Sequence, residues 1–474
     1  MVHQQIWPMR GLESDDHTRL ARYQEALAFY EGDQWQGRAR RAETRLTINY
    51  ARALVRKVSS YVFPGAVRFT VEAQASSSRQ QGDEVGNRAE RALAEVSAAN
   101  DLPGLDLALC IESSVLGDAA IKVTWDVGAA RPSVAAVNPA TLIAEWEPDN
   151  PRKLTRMTQA YRLRGDAIAR LFPEAGGALG WEQEYPVIER WSDESWSVEI
   201  AGQRARDVAN PYGWIPYVTV ANNPRPHAYW GESDLTDLFD LCRELNERMS
   251  VLSRVLALSG APIAVLENVD GSEGITVGPG AKWELPEGAK AYLLDLLSGG
   301  GAGLHVEYIE LLYRALHDLS ETPRTAFGDS GRALSGAALE VEVQPLVQRV
   351  GRKRRMFDAM YAARNARLLD LLERFGGLEL GGLRRTETVW PSVLPSDEES
   401  AVRNAVSLVQ NGIRSRRTAM TMLGATDPEA EYARVESESF ERRGTSPKLF
   451  SAVGAAIRRT FCTFQLGPCS REIT

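Results

Sequence analysis

Two long runs in which apolar residues return every three or four positions dominate the chain. In residues 234–259 the stripe is Leu235, Leu238, Leu241 or Cys242, Leu245, Met249, Leu252 and Val255 or Leu256, with Asp234 at its start and Gly260 and Pro262 at its end. That spacing predicts an amphipathic helix with a firm stop. At about 1.5 Å per residue it would reach roughly 39 Å, longer than an average globular helix and suited to lying beside copies of itself. In residues 304–320, Val306, Ile309, Leu312 or Tyr313, Leu316 and Leu319 repeat the pattern until Pro323. Between the two rods the sequence predicts strands at 263–267 and 282–285, a polar turn at Asp270 and Gly271, and a glycine cluster at 298–303 too pliable to hold a shape alone.

Residues 324–336, RTAFGDSGRALSG, form a Gly/Ser loop whose backbone bends easily and costs entropy to order. A third rod follows directly, with Leu339, Val343, Leu346, Val350, Phe357, Tyr361, Leu368 and Leu372 on its stripe. Pro345 must bend or break it, because proline removes a helical donor and crowds the preceding turn. Two shorter helices are predicted at 398–410, stopped by Gly412, and at 415–423. After residue 437 periodicity fades, leaving a short basic helix at 449–461 and an otherwise irregular tail.

The first half mixes periods. Leu20, Tyr23, Leu27 and Tyr30 predict one helix, and Leu54, Val58 and Tyr61, halted by Pro64, a second. Residues 76–87 are rich in Ser, Gln and Gly and predict a mobile connection, after which 105–116 reads as a helix and 119–125 as a strand. From 132 to 220, short apolar runs alternate with turn residues, and 155–163 and 195–200 show the period of two expected for antiparallel strands with one wet face. The fold class is α+β.

Composition narrows the function. A chain of 474 residues, 44% apolar and 25% charged, buries more than one core. Its formal charge of -8 excludes a generic basic nucleic-acid binder, yet suits a protein past which a polyanion slides without sticking. The four cysteines, Cys110, Cys242, Cys462 and Cys469, form no metal-spaced pair and no disulfide framework. No stretch is apolar and long enough to predict a membrane span, and the N-terminal residues lack the apolar run of a secretory signal.

Candidate chemistry is thin. Gly328-Asp329-Ser330-Gly331 resembles the nucleophile turn of trypsin-like proteases, but Arg332 stands where a glycine is usual and no histidine is placed to activate the hydroxyl. The cluster at 299–303 lacks the strand and the acid of a dinucleotide cradle, and no phosphate-loop Lys follows. Acidic pairs such as Glu340 and Glu342 read as solvated helix faces. The sequence predicts no catalytic residue, no metal site and no cofactor. Arg349, Arg352, Lys353, Arg354 and Arg355 crowd the third rod and fit contacts between subunits better than contacts with phosphate.

Taken in order, FYEGDQWQ, LTINYARALVRKVSSYVFPG, NNPRPHAYWGESDLTDLFDLCRELN, TPRTAFGDSGRALSGAALEVEVQPLVQRVGRKRR and NAVSLVQNGIRSRRTAM resemble the portal proteins of tailed bacteriophages of the long-tailed type. The resemblance implies a wing at 1–233, stem helices at 234–260 and 304–323, and a small α/β clip at 261–303 between them. A tunnel loop at 324–336, a long wing helix with its return segment at 337–395, a helical crown at 396–436 and an atypical tail at 437–474 complete it. It implies a ring of about twelve copies of the chain, set at one capsid vertex and passing double-stranded DNA without reading its sequence. Terminase and a head-completion adaptor would dock on the clip, and major capsid and scaffolding proteins on the wing. Arg324, Thr325, Asp329, Ser330 and Arg332 would face the DNA, and Leu238, Leu245, Met249, Leu252, Arg349, Arg352, Arg354 and Arg355 would contact neighbouring subunits. Two alternatives are a nonviral ring or scaffold without DNA, and a hydrolase built on Ser330.

Overall fold

The structure is a computed structural model that describes residues 14–39, 44–71, 79–175, 179–260, 264–268, 285, 287–293, 301–329, 336–394, 398–425 and 428–444. It divides into two compact units, Met1–Val393 and Leu394–Thr474.

The first unit begins with helices α1 (Ser14–Glu31) and α2 (Tyr50–Val62). Asn49 caps α2 by accepting a hydrogen bond from the Arg52 amide at 3.0 Å, which satisfies a donor the helix cannot. Strand β1 (Arg68–Val71), α3 (Arg79–Ala99) and α4 (Leu102–Leu116) follow. The α3 helix corrects the expectation of a mobile connection at 76–87, of which 76–78 lie outside the described residues. Ala89, Leu93 and Val96 form a buried stripe further along the same helix, and that burial outweighs the turn-prone composition at its start.

Strands β2 (Asp118–Asp126), β3 (Arg131–Val137), β4 (Leu142–Glu147) and β5 (Asn150–Arg164) lead to the short helix α5 (Gly165–Leu171). They are followed by β6 (Glu184–Trp191), β7 (Ser195–Ile200), β8 (Gln203–Ala209) and β9 (Tyr217–Ala221). One sheet has the order β3-β2-β9, and a second is the antiparallel meander β4-β5-β6-β7-β8. Ile168 and Phe172 of the α5 region bury Val187, Val198 and Ile200 on the meander.

A one-turn 3-10 helix, Thr236–Leu238, runs into α6 (Phe239–Gly260). After β10 (Ala264–Glu267) and β11 (Lys290–Leu293), which pair antiparallel, comes α7 (Gly301–Leu319). The strand partner of β10 is therefore 290–293. The predicted strand at 282–285 lies outside the described residues except Leu285, which has no regular structure. α7 also starts inside the glycine cluster, three residues before the apolar stripe.

The third rod is α8 (Gly336–Glu342) and α9 (Gln344–Arg374), interrupted at Val343 beside Pro345 as the missing donor requires. Its Leu346, Val350, Phe357, Tyr361 and Leu368 are fully buried against the β2 sheet and α4. Arg364 is buried there too, its Nη1 2.7 Å from Asp106 Oδ1, while the Tyr361 hydroxyl donates to the other oxygen at 2.9 Å. Strand β12 (Thr386–Val389) returns to pair with β1.

The second unit holds α10 (Glu398–Gln410), α11 (Arg416–Met422) and α12 (Pro428–Gly444). Gly412, at φ +68°, follows α10 as expected. α12 was not legible beforehand, because it carries mostly Glu, Arg and Ser and too few apolar residues to mark a stripe. The predicted helix at 449–461 lies outside the described residues.

Candidate channel loop and its anchoring junction

Asp234 sits where the chain passes from the segment after β9 into the 3-10 helix and α6. Its backbone amide donates to Ser114 O at 2.9 Å. The carboxylate is ion-paired through Oδ2 with Lys353 Nζ at 2.7 Å and Arg349 Nη2 at 3.0 Å. Its Oδ1 accepts from the side-chain amides of Asn222 and Asn223, each at 3.0 Å. Burial pushes the carboxyl upward, but the charges of Lys353 and Arg349 outweigh it and hold the group well below the usual carboxylate range. Lys353, itself buried, also donates to Ser114 Oγ at 2.9 Å and Asn222 Oδ1 at 2.6 Å.

Two glycines let these segments close. A Cβ on Gly231 would stand 2.0 Å from Asn222 O, and one on Gly117, at φ +100°, would stand 2.9 Å from the Ser233 amide nitrogen. No residue with a side chain fits either place.

The end of α7 meets the same junction. Arg349 donates to Ser320 O, and Arg352 pairs with Glu321. Glu321 has φ +47°, a conformation that costs a residue with a side chain. The chain then enters the loop through Pro323 and the 3-10 turn Arg324–Phe327, closed by Gly328 at φ +88°. Arg324 Nη1 lies 2.7 Å from Glu310 Oε1 on α7, Nη2 lies 2.9 Å from Asp329 Oδ2, and the guanidinium covers the Tyr313 ring at 4.8 Å. Phe327 packs against the edge of His317, and Lys57 Nζ of α2 lies 5.2 Å from its centroid.

Of the residues expected at DNA, Arg324 and Asp329 are thus paired with each other, Thr325 is half-buried, and Ser330 and Arg332 lie outside the described residues. Of those expected at subunit contacts, Leu238 and Leu245 are buried within the chain's own core with Phe29, Leu54, Leu312 and Leu316, and Met249 packs on the same core. Leu252 is half-buried. Arg354 donates to Val62 O and Pro391 O, whereas Arg352 and Arg355 are exposed. Sequence reasoning missed Asn222 and Ser114 as partners of Asp234, and it missed Lys57 beside the loop. Each comes from a segment distant along the chain, and nothing local signals the contact.

Among the described residues the junction holds its cations against carboxylates. Among the described residues no group of three or more His, Cys, Asp or Glu side chains could hold a metal ion, and no helix is long and apolar enough to cross a membrane. No curated protein matches the chain. The model of a family described as "Phage portal protein, SPP1 Gp6-like" matches residues 11–276 and 302–444.

Proposed function

We propose, because this chain belongs to the phage portal protein family, that copies of it assemble into a ring of about a dozen at one capsid vertex. Membership makes the protein a structural part of the virion with a role in its DNA channel, not an enzyme. The observation that carries the reading is the extent of the family match, residues 11–276 and 302–444, which takes in both rods, the loop and the second unit as far as residue 444. In this reading α6 and α7 form the stem, 261–303 the clip, 324–336 the loop facing the bore, and α8 with α9 the long wing helix. The second unit supplies the crown up to residue 436. Arg324, Thr325, Asp329, Ser330 and Arg332 belong to the bore-facing segment. Terminase and a head-completion adaptor dock on the clip, and capsid and scaffolding proteins meet the wing.

Two features support assembly and passage. α7 buries Leu312 and Leu316 against its own chain, yet leaves Leu304, Tyr308, Leu311 and Leu319 exposed on a second stripe. Such an apolar face suits a neighbouring copy. The net charge of -8 per chain disfavours trapping of a polyanion, and contact restricted to phosphates leaves the bases unread. The test is DNA packaging into capsid shells assembled with and without this chain. Nuclease-protected DNA should accumulate only in shells that contain it, and equal protection without it would overturn the reading.

A further inference from the structure

Arg324 is the cation that the sequence places at the mouth of the loop, yet the structure surrounds it with acid. Glu310 and Asp329 both lie within 2.9 Å of its guanidinium, so one positive charge answers two negative ones. Arg314 also leans on Glu310, at 3.6 Å, so two cations and two carboxylates cancel and a phosphate approaching the cluster meets no net attraction.

Lys57 is placed differently. It lies on α2, and its ammonium rests 5.2 Å from the centroid of Phe327, two residues before Asp329. Among the described residues it has no ion-pair partner. A cation held over an aromatic face is oriented but keeps its full charge. The Phe327 ring is itself fixed by the edge of His317 and remains partly exposed, so the ammonium is carried beside the loop.

We propose, on the reading that 324–336 faces the bore, that Lys57 contacts the DNA phosphates, and that Arg324 is a positioning residue clamping the loop base between Glu310 and Asp329. An ammonium suits that task. It is a compact, strongly hydrated point charge without the planar fork that grips a phosphate in two places, so each contact is readily released as the backbone advances.

The test uses rings of the full chain carrying Lys57→Met, Lys57→Gln, Lys57→Arg or Arg324→Met. Met keeps an apolar stem over Phe327 and removes only the charge, and Gln is a second neutral variant should Met perturb folding. Two quantities are read: nuclease-protected DNA in assembled shells, and the rate of chymotrypsin cleavage after Phe327. Both neutral Lys57 variants should form rings, package about fivefold less DNA or worse, and be cleaved at the wild-type rate, while Lys57→Arg restores most packaging. Arg324→Met should be cleaved several-fold faster. If both neutral variants package like wild type, or if Arg324→Met loses packaging with cleavage unchanged, the assignment is wrong although the portal reading stands. Wild-type rings that package nothing would remove both.

Discussion

At the scale of single residues, the Asp234 junction is the most exacting feature of the chain. One buried carboxylate answers a buried lysine and a half-buried arginine, and removing it leaves Lys353 and Arg349 without a counter-ion. Asp234→Asn is expected to lower stability by about 3–5 kcal/mol, measured by denaturant unfolding at neutral pH. Because the folded-state carboxyl is held low, its contribution is present above the unfolded carboxylate pKa and fades as pH falls below that value. Glu112 has the opposite sign. Burial raises it from 4.5 to about 7, so its contribution is present below the unfolded value and is lost as pH rises through about 7. Glu112→Gln should therefore stabilise the protein by about 1–2 kcal/mol at pH near 8 and change little near pH 4, as thermal unfolding at the two pH values would show. Neither feature was legible beforehand. Ser114, Asn222, Asp234 and Lys353 are far apart in sequence, and the run Arg352-Lys353-Arg354-Arg355 gives no sign that its lysine alone is buried.

At the scale of elements, the sequence was informative wherever an apolar stripe was long. α6, α7 and α9 were legible because Leu and Val recur on one face over several turns, and the break at Pro345 followed from a missing donor. Reading failed where composition and periodicity disagreed. Ser, Gln and Gly at 76–87 concealed the start of α3, although Ala89, Leu93 and Val96 carried its stripe. The four-residue strands β1 and β12 are too short to show alternation, and their pairing joins Arg68 to Val389 across most of the first unit. Gly231 shows what packing between elements demands. Gly231→Ala would set a methyl 2.0 Å from Asn222 O, and it should cost about 3 kcal/mol or more, or abolish soluble expression. Gly303→Ala makes the contrast: the site is helical with nothing within 4 Å, and the change should raise stability by about 0.5–1 kcal/mol. Melting temperatures of the two variants check both statements.

At the scale of the whole molecule, the order of motifs announced more than any one of them. The family match runs over residues 11–276 and 302–444, whereas the lone Gly-Asp-Ser-Gly turn is a four-residue pattern for which the sequence places no activating base. What one chain's sequence does not reveal is how copies meet. The α6 stripe looked free for a neighbour, yet Leu238 and Leu245 are used within the chain; Leu256 near its end stays exposed, and α7 leaves a second apolar stripe open. The central claim is that this chain builds a channel. Its most direct test is electron microscopy of the purified full chain with a native mass measurement: closed rings of about a dozen copies around an open bore are expected, and monomers or dimers with no bore would contradict the account.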